Sequence, residues 1–259
     1  LFAGPFNHML SYVTLPEEIE GITGNYCIAE ELIEGEQYTL SGYVNNGKVT
    51  TYGIVDSLNY EEAPVFFAYL LPGSLPGAVQ DRMADIAERL MPHLGFDHSP
   101  FNIEFFYDSE RDCLRILEIN PRMSQSHSDL FRKVKGSSNH EVLVKLATGS
   151  DPGYRGKQGD YRVAANFLYR VFMEDGMVTE VPGEEDIAAI CNDYPGTIIL
   201  VEAQRGMRLS EHPIQDSYSY RLANIYMGAQ SREALMEDYD AVISRLNIKI
   251  KEISHEAEE

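Results

Sequence analysis

The sequence predicts an α+β fold: an antiparallel sheet with helices packed on it, followed by a strand-rich C-terminal subdomain. Three observations predict it. Pairs of β-branched and aromatic runs, at 36–55 and 101–122, are each joined by a short polar turn, which is a hairpin signal. Two stretches, 78–94 and 232–246, repeat apolar residues at helical spacing. After Gly149 the composition shifts and strand-like runs dominate. The 259 residues, 44% of them hydrophobic, suffice for one large domain or two small ones with a sizeable core.

In chain order, residues 1–25 read as a poor stand-alone unit, with turn signals at Gly4-Pro5, Gly21 and Gly24 and a short helix opening at Pro16. Residues 26–32 are predicted to be a strand. A hairpin over 36–44 and 48–55 turns at Asn45-Asn46-Gly47, a favoured tight turn. A Pro/Gly-rich loop covers 71–77. Val79, Met83, Ile86, Ala87, Leu90, Met91 and Leu94 mark one face of a helix that Gly95 stops. The second hairpin pairs 101–107 with 113–122 around the polar turn 108–112. A helix over 137–148 starts at Ser138 or Asn139 and ends at Gly149. Residues 150–159 form a connection. Strands follow at 161–172, 197–202 and near 217–227, then a helix with Leu235, Tyr239, Val242, Ile243 and Leu246 on its apolar face. The expected division is 1–149, 150–253 and a disordered charged tail, 254–259.

Composition also excludes partners. A net charge of −20 repels nucleic acid and anionic membrane surfaces. No apolar run approaches the ~18 residues of a membrane span, and no signal peptide is visible. Cys27, Cys113 and Cys191 lack metal or disulfide spacing and read as reduced core residues of a cytoplasmic protein.

The second hairpin carries the chemistry. Side chains alternate along a strand, so Glu104 and Phe106 share one face, and Leu114, Ile116, Glu118 and Asn120 share one face of the next strand. Folded about Arg111, the hairpin sets Glu104 nearly opposite Glu118. Like charges so placed repel, unless a cation lies between them. Two carboxylates and an amide oxygen are hard ligands that suit Mg²⁺, with Mn²⁺ as a substitute. Arg122 follows on the same side and can hold a phosphate oxygen through its planar fork. The alternative is an exposed hairpin face on which acids and apolar residues alternate.

A glutamate, then about a dozen residues, then Glu118-x-Asn120-x-Arg122 resembles the metal end of the ATP-grasp ligases. Glu30-Glu31-Leu32-Ile33-Glu34-Gly35-Glu36 resembles that family's hinge strand. The resemblance runs from about residue 26 to 149. It implies an ATP-grasp fold and an enzyme that joins a small-molecule carboxylate to an amine through an acyl phosphate, with ATP and Mg²⁺ as cofactors. It makes Glu104, Glu118 and Asn120 metal ligands and Arg122 the catalytic arginine on the transferring phosphoryl group. Glu30, Glu31 and Ile33 match hinge positions that read adenine, with Glu31 where many members carry Lys, and Glu36 matches the ribose acid. Phe106 and Leu117 would pack on adenine, core packing being the alternative for both. His127 would touch the acyl substrate, or be an ordinary histidine satisfied by the backbone. A homodimer is compatible with the family.

Two departures qualify the resemblance. Ser126 stands where the biotin carboxylases carry the glutamate that acts as base on bicarbonate, so the amide-forming amino-acid ligase branch looks more similar than the carboxylases or carbamoyl-phosphate synthases. The family's upstream lysines are absent, the first lysine being Lys48. The expectation is the C-terminal part of a longer ligase, inactive alone and a weak binder of ATP. A non-catalytic nucleotide-binding module is the other reading.

Overall fold

The computed structural model describes residues 3–19, 21–154, 158–212, 216 and 218–253. They divide into two units, one up to Glu34 and one from Gly35 onward. The predicted tail, 254–259, lies outside the described residues.

In the first unit, α1 (Ala3–Leu10) is followed by a 3-10 turn (Glu17–Ile19). Gly4-Pro5, read as a turn, falls within the first turn of α1. There the missing proline N–H has no helical partner to lose. The helix buries no side chain. The predicted strand over 26–32 does not form. A strand exists by pairing its backbone groups, and the described residues of this unit form no strand to pair with. Ile28 and Leu32 are each 87% exposed. Glu30 and Glu31 are exposed and Ile33 is half-buried. Cys27 is exposed, contrary to its expected core position.

The second unit is built on one eight-stranded sheet. Its strands are β1 (Glu36–Asn45), β2 (Lys48–Asn59), β3 (Phe66–Leu71), β4 (Ser99–Asp108), β5 (Cys113–Asn120), β6 (Val163–Val171), β8 (Ile198–Val201) and β9 (Tyr220–Ala229). Their order is β5-β4-β1-β2-β3-β6-β9-β8, and every pair is antiparallel. A separate two-stranded sheet pairs β7 (Gly176–Glu180) with β10 (Lys249–Glu252). The first hairpin turns as predicted: Asn45 pairs with Lys48, and Asn46 and Gly47 take φ of 54° and 71°. That is the left-handed pair a type I′ turn demands.

Helices cover the two faces unequally. On one face lie α2 (Gly77–His93) and α6 (Arg232–Arg245). Val79, Met83, Ala87 and Met91 of α2 pack on Tyr38, Leu40, Ile103 and Phe105. Leu235, Tyr239 and Val242 of α6 pack on Phe167, Ile225 and Met227, beside Ile190 of α5 (Glu184–Asp193). On the opposite face, α3 (Ser128–Lys135) and α4 (Asn139–Ala147) set Leu130, Phe131, Val142 and Leu146 against Tyr43, Tyr52, Val55 and Ala164. The approach of α3 is close because Gly53 carries no side chain; a Cβ there would lie 2.6 Å from the Phe131 ring. The rest of this second face keeps its polar side chains.

The helices over 78–94, 137–148 and 232–246 form within a residue or two of their predicted bounds. β3, α3, β7, α5 and β10 were not anticipated. Because β6 pairs with β3, the sheet continues across the expected division at residue 149. Cys113 and Cys191 are partly buried, and Cys191 lies in a helix rather than a strand. Among the described residues no helix is long and apolar enough to cross a membrane.

Candidate functional site

The second hairpin forms with Glu104 directly opposite Glu118 and Asn102 opposite Asn120. The pairing then slips. Phe105 pairs with Ile116, which leaves Leu117 without a partner: a β-bulge. The extra residue shifts the alternation. Leu114 and Ile119 both pack into the core under α2, and Ile116 lies opposite buried Phe105. So Leu114 and Ile116 do not share a face with Glu118 and Asn120, which corrects the regular alternation assumed for this strand. The bulge is what lets Glu118 face Glu104. Leu117 is 46% exposed and does not pack in the core.

On the face of Glu104, a polar row crosses six strands at one register. Phe106 pairs with Gln37, Gln37 with Ser57, Ser57 with Tyr69, Tyr69 with Asn166 and Asn166 with Tyr226. Gln37 Nε2 donates to Glu104 Oε2 at 2.7 Å. Asn120 Nδ2 donates to Glu118 Oε1 at 2.6 Å, and lies 3.2 Å from Asn102 Oδ1 and 3.5 Å from Glu104 Oε1. Asn102 Nδ2 donates to the Arg122 carbonyl at 2.9 Å and so fixes the backbone that carries the arginine. The Arg122 side chain is exposed, and its one hydrogen bond among the described residues is a 3.4 Å contact from Nη1 to the Met123 carbonyl. Glu104, Glu118, Asn120 and Arg122 are thus brought together.

Glu104 is harder to ionise than an ordinary glutamate. Burial is the main cause, and the neighbouring charge and hydrogen bond of Glu118 add to it; Gln37 and Arg122 oppose the shift. Burial disfavours the charged carboxylate, and a second carboxylate facing it raises the cost further. No third acid, His or Cys joins them among the described residues. The residues fit a hard divalent cation: two facing carboxylates, with the Asn120 amide turned by its NH₂ toward the acids and free to present its oxygen by rotation.

Other expected residues take different places. Glu36 is exposed and accepts the Tyr38 hydroxyl at 2.5 Å. It lines a cleft of about 340 Å³ together with Tyr38, Asp56, Ser74, Phe106 and Arg232. His127 is 2% exposed, its ring meeting Tyr69 edge-on at 5.0 Å. A ring so enclosed does not present itself to a substrate. Nor does the backbone satisfy it, since Nδ1 has no partner among the described residues. Burial drives its pKa down to about 3, so the imidazole is neutral. Gln37, Asn102 and Tyr69 were missed. Asn102 was within reach of the sequence, two residues before Glu104 on the same strand face; Tyr69 was not, because its strand went unseen.

Residues 11–128 match the family model of the ATP-grasp domain. Among solved structures, phosphoribosylglycinamide synthetase from Anaerococcus prevotii aligns over 85% of this chain at 13% identity and a TM-score of 0.65. L-Amino acid ligase from Bacillus licheniformis aligns over 85% at 16% identity, also with a TM-score of 0.65. The biotin carboxylase domain of Hydrogenobacter thermophilus 2-oxoglutarate carboxylase, solved with MgADP and bicarbonate, aligns over 83% at 14% identity, covering 46% of that chain, with a TM-score of 0.60. This chain spans about half the length, 55%, of the first two. Comparison with curated protein sequences gave no match. The chain has the ATP-grasp fold, and the resemblance drawn from the two motifs is borne out.

Proposed function

We propose that this ATP-grasp chain serves an ATP-dependent carboxylate–amine ligase that forms an amide or peptide bond through an acyl phosphate. The observation that carries the proposal is the register pair Glu104–Glu118, held by a bulge on an open sheet face with Asn120 and Arg122 beside it. Glu104, Glu118 and Asn120 would hold Mg²⁺ or Mn²⁺, which when bound would supply charge neutralisation along the phosphates. Gln37 orients Glu104 and lowers its cost of ionisation. Arg122, with its fork free, meets charge that develops on the transferring phosphoryl group.

In the first step a substrate carboxylate oxygen attacks the γ-phosphorus, the bond to the bridging oxygen breaks, and ADP leaves with that electron pair. In the second, the amine lone pair attacks the acyl carbon, inorganic phosphate leaves, and the amine nitrogen loses a proton. The protein's work is alignment and charge stabilisation rather than covalent chemistry. Glu36 and Phe106 both line the 340 Å³ cleft, which supports their assignment to ribose and adenine. Leu117, Glu30, Glu31 and Ile33 are assigned to the nucleotide by family resemblance alone. A carboxylase reading lacks its base at Ser126. A cytoplasmic site of action suits the ATP requirement.

The test is metal-dependent ADP release with mixed amino acids as carboxylate and amine donors, with hydroxylamine added to trap the acyl phosphate as a hydroxamate. ADP release that needs both metal and a carboxylate, with hydroxamate formed, is expected. Metal-dependent nucleotide binding with no ADP release would favour a non-catalytic module. Stimulation by bicarbonate alone would favour a carboxylase.

A further inference from the structure

A second cavity, of about 520 Å³, opens at the turn end of the first hairpin. Asn45 pairs with Lys48 and Tyr43 with Thr50, so these side chains share one face of the hairpin. All of them line the cavity, as does Asn46 in the turn, and Asp151, Gly153 and Tyr154 supply the other wall from the chain that leaves α4. The volume is that of a small-molecule site. It is not the site of the paired acids. Tyr43 lies four residues along β1 from Thr39, the register partner of Glu104, a rise of about 13 Å.

The aromatic part of the wall is braced from behind. Tyr52, 6% exposed, meets the Tyr154 ring at 4.8 Å, the Tyr43 ring at 6.4 Å and the Phe131 ring edge-on at 5.0 Å. Rings held by such packing lower the ordering cost of a ligand. The polar rim is oriented as well. Asn45 Oδ1 lies 3.2 Å from His98 Nδ1 and 3.4 Å from Asn46 Nδ2. The acceptor end of that amide is therefore used, and its NH₂ makes no bond among the described residues. His98 holds this place at φ of 50°, a left-handed backbone uncommon for a residue with a side chain.

The charges on the rim specify the ligand. Lys48 and Asp151 are exposed and opposite in sign, yet among the described residues neither forms an ion pair, with the other or with a third group. The Asp151 carboxylate accepts one bond, from the Gly153 N–H to Oδ1 at 2.9 Å, which leaves Oδ2 open. A ligand that carries both charges answers both residues: its carboxylate on Lys48 and the Asn45 amide, its ammonium on Asp151, and an apolar or aromatic side chain on the rings of Tyr43 and Tyr154. Being neutral overall, it also escapes the repulsion that a free anion meets near a chain of net charge −20.

We propose that this cavity binds a free α-amino acid, at a site apart from the paired acids. The proposal does not rest on the ligase reading. The test titrates L-phenylalanine and, separately, L-leucine into the protein, with 3-phenylpropionate and phenethylamine as analogues that carry one charge each. Proton–nitrogen NMR follows the backbone N–H of Asn46 and Gly153 at the cavity and of Glu104 and Glu118 at the acidic hairpin. Saturable shifts at Asn46 and Gly153 are expected with at least one amino acid. The single-charge analogues should bind about tenfold more weakly or worse than L-phenylalanine, and Lys48→Gln and Asp151→Asn should each weaken amino-acid binding about tenfold or more. Both positions are exposed, so these variants keep the core, and Glu118→Gln should leave the shifts at Asn46 and Gly153 as they are. No saturable shift at Asn46 and Gly153 with either amino acid, shifts confined to Glu104 and Glu118, an analogue that binds as well as L-phenylalanine, or an affinity unchanged in Lys48→Gln or in Asp151→Asn would overturn the proposal.

Discussion

Replacing Glu118 by glutamine should move stability and activity in opposite directions. Glu118 faces Glu104 across the β4–β5 pair, and a like-charge cross-strand pair costs roughly 0.2–1 kcal/mol. The neutral amide removes that repulsion. It keeps an Oε1 acceptor for the 2.6 Å bond from Asn120, and it adds an NH₂ that can donate to Glu104. For a chain of this size 1 kcal/mol is worth about 2–4 °C in Tm, so the metal-free variant should melt up to about 4 °C higher than the parent. Turnover should collapse. Loss of an outer-shell partner alone weakens metal binding by about 10–100-fold, and Glu118 is assigned as a direct ligand. The pH response follows. Glu104 titrates above the ordinary glutamate range, so it contributes stability that is complete below that range and is lost as pH rises through its raised value. In the variant this window narrows. Melting curves across pH, with and without Mg²⁺, and metal-dependent ADP release decide it. A lower metal-free Tm, or ADP release close to the parent's, would refute the reasoning.

Arg122→Lys should lower kcat far more than it weakens ATP binding, because the planar fork acts mainly on the transition state; steady-state kinetics separates the two. Mg²⁺ affinity by calorimetry should fall with acidification from above the ordinary glutamate range, since the ion must displace the proton that Glu104 holds. The buried, neutral His127 contributes stability that is present above its ordinary value of 6.5 and is lost as pH falls toward about 3. Two pH units below 6.5 the loss is on the order of 2–3 kcal/mol, and urea unfolding should show it removed in His127→Phe. Gly53→Ala sets a Cβ 2.6 Å from the Phe131 ring and should cost about 1–3 kcal/mol by overpacking, read as a lower Tm.

The parts of the fold legible in the sequence were those in which local signals agreed. Asn46-Gly47 announces a left-handed turn, and α2 carries its apolar residues at helical spacing and ends before Gly95. What was missed was short or pattern-poor. β7 has five residues beginning with Gly176, and α3 has eight, too few for a periodicity to declare itself. The segment after Tyr26 has β-branched and apolar residues but no partner, and pairing is not a local property. The site was legible up to Glu104, Glu118, Asn120 and Arg122 because one hairpin holds them all. The bulge at Leu117 was not, since alternation counts residues and cannot see one that drops out of register. Gln37 reaches Glu104 from a strand 67 positions away.

The seam between β3 and β6 has a consequence for dissecting the protein. A piece ending near Gly149 would leave the backbone donors and acceptors of Ala68–Leu71 on an open sheet margin, beside Leu70 and Leu71, which are now 2% and 1% exposed. Such a margin, apolar and with no charge or proline within the strand Phe66–Leu71 itself, is a template for adding strands from other molecules. Asp56 would also lose Arg232, which reaches back from α6 to donate at 2.8 Å. The piece bearing the paired acids should therefore self-associate when cut away from the later strands, and pieces meant to be studied alone need their boundaries set outside the sheet.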